Sequence, residues 1–190
     1  MMIPYLERTI SFGPNQFAYR EKRGARDALA FLVIEWIQQI NRRGKVGVYA
    51  SDVSRAFDRV STSRIMAKLR AKGVHHRLLA LIESWLQPRR AKVVVGGEYS
   101  AVFLLVNMLF QGTVLGPTLW NLFFEDSRVP INSVKFIEAV FADDLNAYRM
   151  YAGNVRNSTI LRHSKECQTR LHAWGSANQV VFDETKESFW

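Results

Sequence analysis

Three aspartates in this chain of 190 residues could together hold divalent metal ions. Asp143 and Asp144 stand side by side in EAVFADDLNAY, between two apolar runs typical of strands, and Asp52 ends the run KVGVYASD. Adjacent carboxylates raise each other's proton affinity unless a cation lies between them. Mg²⁺ prefers such oxygen ligands, and two ions about 3.5–4 Å apart can stabilise both oxygens of a phosphoryl transfer. The three aspartates therefore indicate a two-metal site.

A third stretch, FQGTVLGPTLWN, has the features of a loop that contacts a ligand. Gly112 and Gly116 bracket a loop that leads into a helix, and glycine lets a backbone approach a ligand closely. The Gln111 amide can both donate and accept hydrogen bonds. Each feature alone also fits a structural role: an Asp-Asp turn, an aspartate that caps the end of its strand, and an ordinary loop glutamine. All three stretches in this order are much less expected by chance.

The elements that must position these residues are helices mixed with mostly non-alternating strands. Apolar periodicity and capping residues predict helices over 26–41, 61–73, 75–87, from Pro117 onward, and over 159–174 with Gly175 at its end. Strands are predicted over 45–52, 135–142, 145–151 and 180–182, and 91–106 as two strands joined by Gly96-Gly97. In the first helix, Leu29, Val33, Trp36 or Ile37, and Ile40 recur at helical spacing. This mixture predicts an α+β fold.

The composition limits the classes of protein to consider. An apolar content of 48% and an aromatic content of 12% predict a globular domain and exclude a disordered tail. The single cysteine, Cys167, excludes an internal disulfide framework and fits a reducing compartment. We find no secretory signal at the N-terminus, and the longest apolar run is too short to cross a bilayer. We therefore predict no membrane partner.

The charge of the chain is distributed unevenly. Residues 1–100 hold 18 basic and 8 acidic residues, whereas the remaining 90 hold 8 basic and 9 acidic residues. This asymmetry fits a polyanion held against the N-terminal part. A solvated basic surface explains the charge equally well.

Taken together, the motifs resemble those of reverse transcriptases, most closely the enzymes of non-LTR retrotransposons and their group II intron relatives. SDVSRAFDRV resembles the first catalytic motif of that family, FQGTVLGP its nucleotide-contacting loop, and FADD its Asp-Asp hairpin. NQFAYREKRGARDAL resembles the segment before the first motif, and WGSANQVVFDETKESF the motif after the hairpin. These matches follow the family order and cover nearly the whole chain.

The resemblance assigns metal binding to four residues. Asp52 and Asp143 would be the ligands of two Mg²⁺ ions, which Mn²⁺ can replace. Asp144 would be a nearby third carboxylate, and the backbone carbonyl of Val53 would also touch a metal.

The resemblance assigns a further four residues to the nucleotide. Phe57 would lie beneath the sugar and exclude a 2′-hydroxyl, because a flat ring blocks the added oxygen. Gln111 and Gly112 would line the incoming nucleotide. Lys186, at the position of the family's lysine, would protonate the leaving pyrophosphate, although a lysine there also fits a solvated surface.

The resemblance also implies an architecture and partners. The fold would be a polymerase palm, an antiparallel sheet packed on helices, with part of the fingers and without the thumb. Residues 1–44 would be a remnant of the fingers and 45–190 the palm, with 59–107 partly returning to the fingers, so that the chain is truncated at both ends. The partners would be an RNA template, a DNA primer and deoxynucleoside triphosphates. A retroelement protein of this kind would act in the nucleus or cytoplasm.

Two functions remain open at this stage. The first is RNA-directed DNA polymerase, with nucleotidyl transfer by two metal ions. The second is a catalytically silent retroelement fragment that binds nucleic acid weakly, since the fingers strands that grip the triphosphate and the thumb are expected to be missing. An RNA-templated RNA polymerase is disfavoured by Phe57 and by Ala142, an alanine rather than a glycine before the aspartate pair.

Overall fold

The computed structural model describes residues 2–9, 11–106 and 108–190. Its helices are α1 (Met2–Arg8), α2 (Ala25–Asn41), α3 (Thr62–Ala71), α4 (His76–Trp85), α5 (Leu115–Phe124), α6 (Arg128–Ser133) and α7 (Asn157–Asn178). Its strands are β1 (Lys45–Ser51), β2 (Arg89–Ala91), β3 (Val94–Val95), β4 (Glu98–Tyr99), β5 (Phe103–Leu105), β6 (Ile137–Phe141), β7 (Asp144–Tyr151) and β8 (Ser188–Phe189). The mixture confirms the α+β prediction. No helix in the described ranges has both the length and the apolar character that a membrane crossing requires.

A four-stranded antiparallel sheet in the order β6-β7-β1-β8 forms the centre of the molecule. Successive side chains of β1 enter different apolar clusters, as expected for a strand covered on both faces. Val48 packs in one cluster with Leu32 of α2, whereas Tyr49 packs in the other with Leu171 of α7. The sheet therefore lies between α2 on one face and α7, with α5, on the other.

Gly47 explains how closely α7 can approach the sheet. A Cβ atom at this position would lie 2.4 Å from the Ile160 side chain and 3.2 Å from the Tyr151 ring. Only a residue without a side chain fits there, so a glycine inside an apolar strand has a packing reason.

The region between α4 and α5 is a long β-hairpin. β2 pairs with β5, and β3 pairs with β4 nearer the tip, where Gly96 and Gly97 both have positive φ. Two successive positive φ angles are typical of a hairpin turn whose twist matches its strands. The predicted Gly-Gly turn is therefore confirmed, with each arm divided into two short strands.

Four predicted boundaries or faces differ from the structure. α5 begins at Leu115, two residues before Pro117. α7 continues through Gly175 to Asn178, because Gly175 packs against Phe182, with room for no Cβ, and is no helix terminator. Residues 180–182 form no strand: Phe182 makes one isolated antiparallel bridge to Val53, and the strand at this end of the chain is β8.

The buried face of α2 also differs from the predicted spacing. Leu29, Val33, Ile37 and Ile40 are exposed. Trp36, the predicted alternative to Ile37, does pack against the sheet, beside the buried residues Ala28 and Leu32. The apolar residues of α2 occupy more than one face, so helical periodicity predicted the helix but not its orientation.

Candidate active site

The two adjacent aspartates lie at the turn between β6 and β7. Phe141 pairs with Asp144, so that Ala142 and Asp143 form a two-residue hairpin turn. Ala142 has φ +60° and is buried. A positive φ at the first turn residue is usual for glycine in hairpins and costs an L-residue about 1–2 kcal/mol. The predicted Asp-Asp hairpin is therefore present, with β7 beginning at Asp144.

Asp52 reaches the same end of the sheet from β1. The register pairs Ser51 with Leu145, so the next position of each strand carries Asp52 and Asp144. Asp52 is fixed through its carbonyl oxygen, which accepts a hydrogen bond from Asp183 N–H (2.9 Å). Val53, the other predicted metal contact, is buried and bridges to Phe182. Asp52 and Asp144, which are 92 positions apart in the sequence, thus meet at one end of adjacent strands.

The electrostatics of this end show that the acidic groups act on one another. Burial raises the pKa of Asp143, and the charges of Asp52 and Asp144 raise it further, whereas Lys186 opposes them. Lys186 Nζ lies 2.6 Å from Asp52 Oδ2. This hydrogen bond and the charge of Asp52 raise the pKa of Lys186.

The carboxylates have the donor chemistry that Mg²⁺ requires. Within the described part of the chain, however, no three His, Cys, Asp or Glu side chains are grouped so that they could hold a metal ion. The Asp52 carboxylate is instead neutralised by the Lys186 ammonium. A divalent ion fits this chemistry, and it would compete with Lys186 for Asp52.

A cavity of about 470 Å³ opens at this end of the sheet. Asp52, Asp144 and Lys186 line it, together with apolar side chains of α2 and β7. The cavity therefore joins two of the three predicted carboxylates, Asp52 and Asp144, to the predicted lysine, and Asp143 does not line it. A larger cavity of about 640 Å³, lined by α2, β1, α7 and Trp190, contains none of the predicted site residues.

The predicted nucleotide-binding residues line a third cavity, of about 410 Å³. Phe57, Gln111 and Gly112 lie along it, which brings together two motifs more than 50 residues apart. Gly112 has φ +74°, and no atom of the described residues lies within 4 Å of where its Cβ would be. The Phe57 ring packs on the Trp120 ring, with centroids 5.6 Å apart. The ring thus has a rigid support, as exclusion of a hydroxyl requires.

Two further residues, Asp58 and Tyr19, lie beside the side chains that line this cavity. Gln111 Nε2 lies 3.4 Å from Asp58 Oδ1, a long contact that leaves the exposed amide largely available. Tyr19, which sequence reasoning did not select, lines the same cavity and is half exposed, with φ +58°. An exposed aromatic residue in a left-handed conformation is uncommon, but neither feature can be recognised in the motif NQFAYR alone.

Sequence reasoning also missed Glu187, the neighbour of Lys186. Its carboxylate is buried and accepts hydrogen bonds from the side chains of Tyr49, Ser51, Gln168 and His172. Burial alone would raise the pKa of Glu187, but the donors Tyr49, His172 and Gln168 hold it below its usual value. This anchored carboxylate ties the segment that carries Lys186 to β1 and α7.

Comparison with known families gives one match over most of the chain. The family model described as reverse transcriptase (RNA-dependent DNA polymerase) matches residues 1–179.

Curated proteins of mobile elements are similar in sequence. The chain is 27% identical over 165 residues to the "probable RNA-directed DNA polymerase from transposon BS" of Drosophila melanogaster, which covers 84% of this chain and 18% of that protein. It is 30% identical over 135 residues to the RNA-directed DNA polymerase from mobile element jockey of the same species, covering 68% and 14%. The Pol polyprotein of the type-1 retrotransposable element R2 of Popillia japonica is 29% identical over 114 residues, covering 54% and 19%. The chain thus spans less than a fifth of each relative's length.

Solved telomerase structures are similar in fold. Apo telomerase from Candida tropicalis superposes with a TM-score of 0.69 at 9% identity, covering 99% of this chain and 38% of that chain. Telomerase from Candida albicans gives a TM-score of 0.60 at 9% identity, covering 99% and 33%. At such low identity these structures support the fold alone.

Proposed function

Because this chain belongs to the reverse transcriptase family, within the non-LTR retrotransposon type, we propose that it supplies the catalytic palm of an RNA-directed DNA polymerase. The observation that carries the proposal is the meeting of Asp52 with the Asp143-Asp144 turn at one end of β1 and β7. In this proposal the sheet and the helices packed on it, within 45–190, are the palm. Residues 1–44 and part of 59–107 belong to the fingers.

The proposed reaction joins a deoxynucleotide to a DNA primer on an RNA template. The primer 3′-hydroxyl oxygen loses its proton to solvent water and forms a bond to the α-phosphorus, the bond from that phosphorus to the β-phosphate oxygen breaks, and pyrophosphate leaves. Asp52 and Asp143 would hold two Mg²⁺ ions, with Asp144 and the Val53 carbonyl beside them. When bound, the ions would neutralise charge on the attacking and leaving oxygens.

The remaining side chains would position the nucleotide and move a proton. Phe57, supported by Trp120, would exclude a 2′-hydroxyl from the cavity that Gln111 and Gly112 line. Lys186 Nζ would release Asp52 and protonate the leaving pyrophosphate. Most of the catalytic advantage would then come from positioning and charge neutralisation.

The basic N-terminal part would hold the nucleic acid. An excess of lysine and arginine over residues 1–100 suits the phosphates of a template–primer duplex. Such binding would be independent of sequence and would weaken with salt.

Primer extension tests this proposal. Since the chain spans less than a fifth of each curated relative, the assay uses a hybrid in which it replaces the matching segment of the Drosophila melanogaster jockey polymerase. We expect extension on an RNA template with Mg²⁺, and a loss of about 10³-fold or more for Asp143→Asn, because transition-state charge stabilisation by one group alone is worth about 10²–10³. Glu166→Gln, on the exposed side of α7, is the matched control. Extension that survives Asp143→Asn would contradict the assignment.

A further inference from the structure

The side chain of Gln16 lies in the interior and contacts Ala142, which follows it by 126 positions in the sequence. Its Oε1 accepts hydrogen bonds from Ala142 N–H (3.1 Å) and Ala18 N–H (3.0 Å), and its Nε2 donates to the Ala142 carbonyl (3.2 Å). The residue is 6% exposed. One carboxamide thus contacts the peptide groups on both sides of Ala142.

These contacts fall on the strained residue of the aspartate turn. The N–H of Ala142 belongs to the peptide after Phe141, and its carbonyl belongs to the peptide that leads into Asp143. Because Ala142 adopts φ +60°, which an L-residue rarely takes, interactions from outside the turn must hold it there. Gln16 supplies such interactions on both sides, and Trp120 Nε1 donates to the same Ala142 carbonyl (2.9 Å).

The backbone around Gln16 is itself fixed against β6. Val140 N–H donates to the Asn15 carbonyl (2.9 Å), and Phe17 N–H donates to the Val140 carbonyl (2.9 Å). This short parallel bridge places Gln16 opposite Val140, which precedes Ala142 by two residues. The carboxamide therefore reaches the turn from a fixed position.

We infer that Gln16 is a positioning residue whose side chain holds the Ala142 turn so that Asp143 and Asp144 face Asp52. The inference rests on the proposed function, because that function assigns metal binding to the carboxylates. Groups that orient metal ligands from outside typically matter about 10–100-fold for metal affinity. A purely structural role would change the stability of the fold and leave the affinity of the folded protein unchanged.

Mn²⁺ binding to the chain of 190 residues, followed by electron paramagnetic resonance well below the melting temperature, separates these roles. Gln16→Met keeps the length of the side chain and removes all three hydrogen bonds. We expect it to bind Mn²⁺ about 10–100-fold more weakly than the parent. Gln87→Met, at an exposed glutamine after α4, is the matched substitution, and Leu69→Ala, in the core of α3, is the control for stability. Both should bind Mn²⁺ as the parent does.

The outcomes distinguish the inference from the function beneath it. If the parent binds Mn²⁺ only with Asp143 present and Gln16→Met binds equally well, the role of Gln16 is overturned and the metal site stands. If the parent shows no binding that Asp143→Asn removes, the metal site fails, and the role of Gln16 with it. If Gln16→Met does not fold, Gln16→Asn, which is too short to contact both peptides, should show the same loss, and parental affinity in that variant also overturns the inference.

Discussion

The aspartate turn and the Phe57 cavity differ in how firmly the protein holds them. At the turn, Gln16 and Trp120 together donate and accept three hydrogen bonds at the peptide groups of Ala142. At the cavity, the one hydrogen bond of the exposed Gln111 side chain within the described residues is the 3.4 Å contact to Asp58, and no described atom lies within 4 Å of a Cβ at Gly112. The backbone that carries Asp143 and Asp144 is therefore held before any ligand arrives, whereas Gln111 and Gly112 are held by fewer contacts.

This difference suits the two tasks. A metal site needs ligands held at fixed separations, and supporting contacts from other elements provide this. A pocket that receives each incoming nucleotide in turn needs one rigid wall and otherwise open access. Phe57, packed on Trp120, is the rigid wall.

Removing the rigid wall should change selectivity. In the jockey hybrid, Phe57→Val or Phe57→Ala should admit ribonucleotides, with discrimination against them falling by about 10²-fold, because the ring no longer occupies the space of a 2′-hydroxyl. Single-nucleotide incorporation with matched deoxy- and ribonucleotides measures this ratio. Phe103→Ala, at an exposed phenylalanine of the hairpin, should leave the ratio unchanged. Unaltered discrimination in the Phe57 variants would remove the steric role.

Removing the charge of Glu187, the buried carboxylate next to Lys186 in the sequence, should reduce the stability of the fold. Glu187→Gln replaces a buried carboxylate that accepts four side-chain hydrogen bonds, and we expect it to lower the free energy of unfolding by about 1.5–3 kcal/mol at pH 7. The folded pKa of Glu187 lies below its ordinary value of 4.5, so the ionised form stabilises the fold above that value. The difference between parent and variant should shrink as the pH falls through 4.5 and below.

Urea unfolding at several pH values measures the effect of Glu187. The exposed neighbour Glu184 offers the matched control, and Glu184→Gln should change the free energy of unfolding little. An equal loss of stability at pH 7 and at pH 3 would show that the carboxylate charge is not what holds this segment.

Lys186 should affect metal affinity and rate in opposite directions. Lys186→Met removes the ammonium that lies 2.6 Å from Asp52, so Mn²⁺ should bind the chain a few-fold more tightly, since neighbouring positive charge disfavours a cation. Polymerisation by the hybrid should nevertheless slow, because the proposed proton donor is lost. Lys165→Met, on the exposed face of α7, should alter neither. Weaker Mn²⁺ binding in Lys186→Met would contradict competition between the lysine and the metal.

The sequence was sufficient to predict which residues meet, but not what holds them. Asp52 and the Asp143-Asp144 pair were predicted from local patterns, because strand ends and turns are encoded by adjacent residues. The role of Phe57 beside Gln111 was predicted only from the resemblance to the family. Gln16, Trp120 and Glu187 could not be predicted in the same way. The most distant hydrogen bond of each spans between 22 and 138 positions, and no local pattern reports which buried polar group will find which partner.

The predictions about the fold that proved wrong have a related cause. A glycine such as Gly175 predicts a helix end, but here tertiary packing against Phe182 explains the glycine. The orientation of α2 was not evident because its exposed face carries Leu29, Ile37 and Ile40 as well. Where a helix has apolar residues on several faces, the partner element decides which face is buried, and periodicity alone does not identify it.

The smallest expected effect concerns the cost of keeping the aspartate turn ready for metal. Burial first, and then the charges of Asp52 and Asp144, raise the pKa of Asp143 above its ordinary value of 3.8. The ionised carboxylate therefore destabilises the fold at pH 7, and this cost is absent below pH 3.8, where the group is protonated in both the folded and the unfolded chain. Asp143→Asn should accordingly raise the free energy of unfolding at pH 7 by no more than about 1 kcal/mol, and the gain should vanish at pH 3.

Metal should reverse this order of stability. A ligand that binds only the folded state adds about 2.7 kcal/mol at a concentration 100 times its dissociation constant, and Asp143→Asn should lack most of that gain. Thermal unfolding with and without Mn²⁺ at pH 7 should therefore show the variant more stable than the parent without metal and less stable with it. Asp126→Asn, whose carboxylate bonds Lys68 and Trp174 away from the turn, should instead be less stable than the parent in both conditions. If Mn²⁺ stabilises the parent no more than it stabilises Asp143→Asn, the strained turn and its like charges do not bind a metal ion.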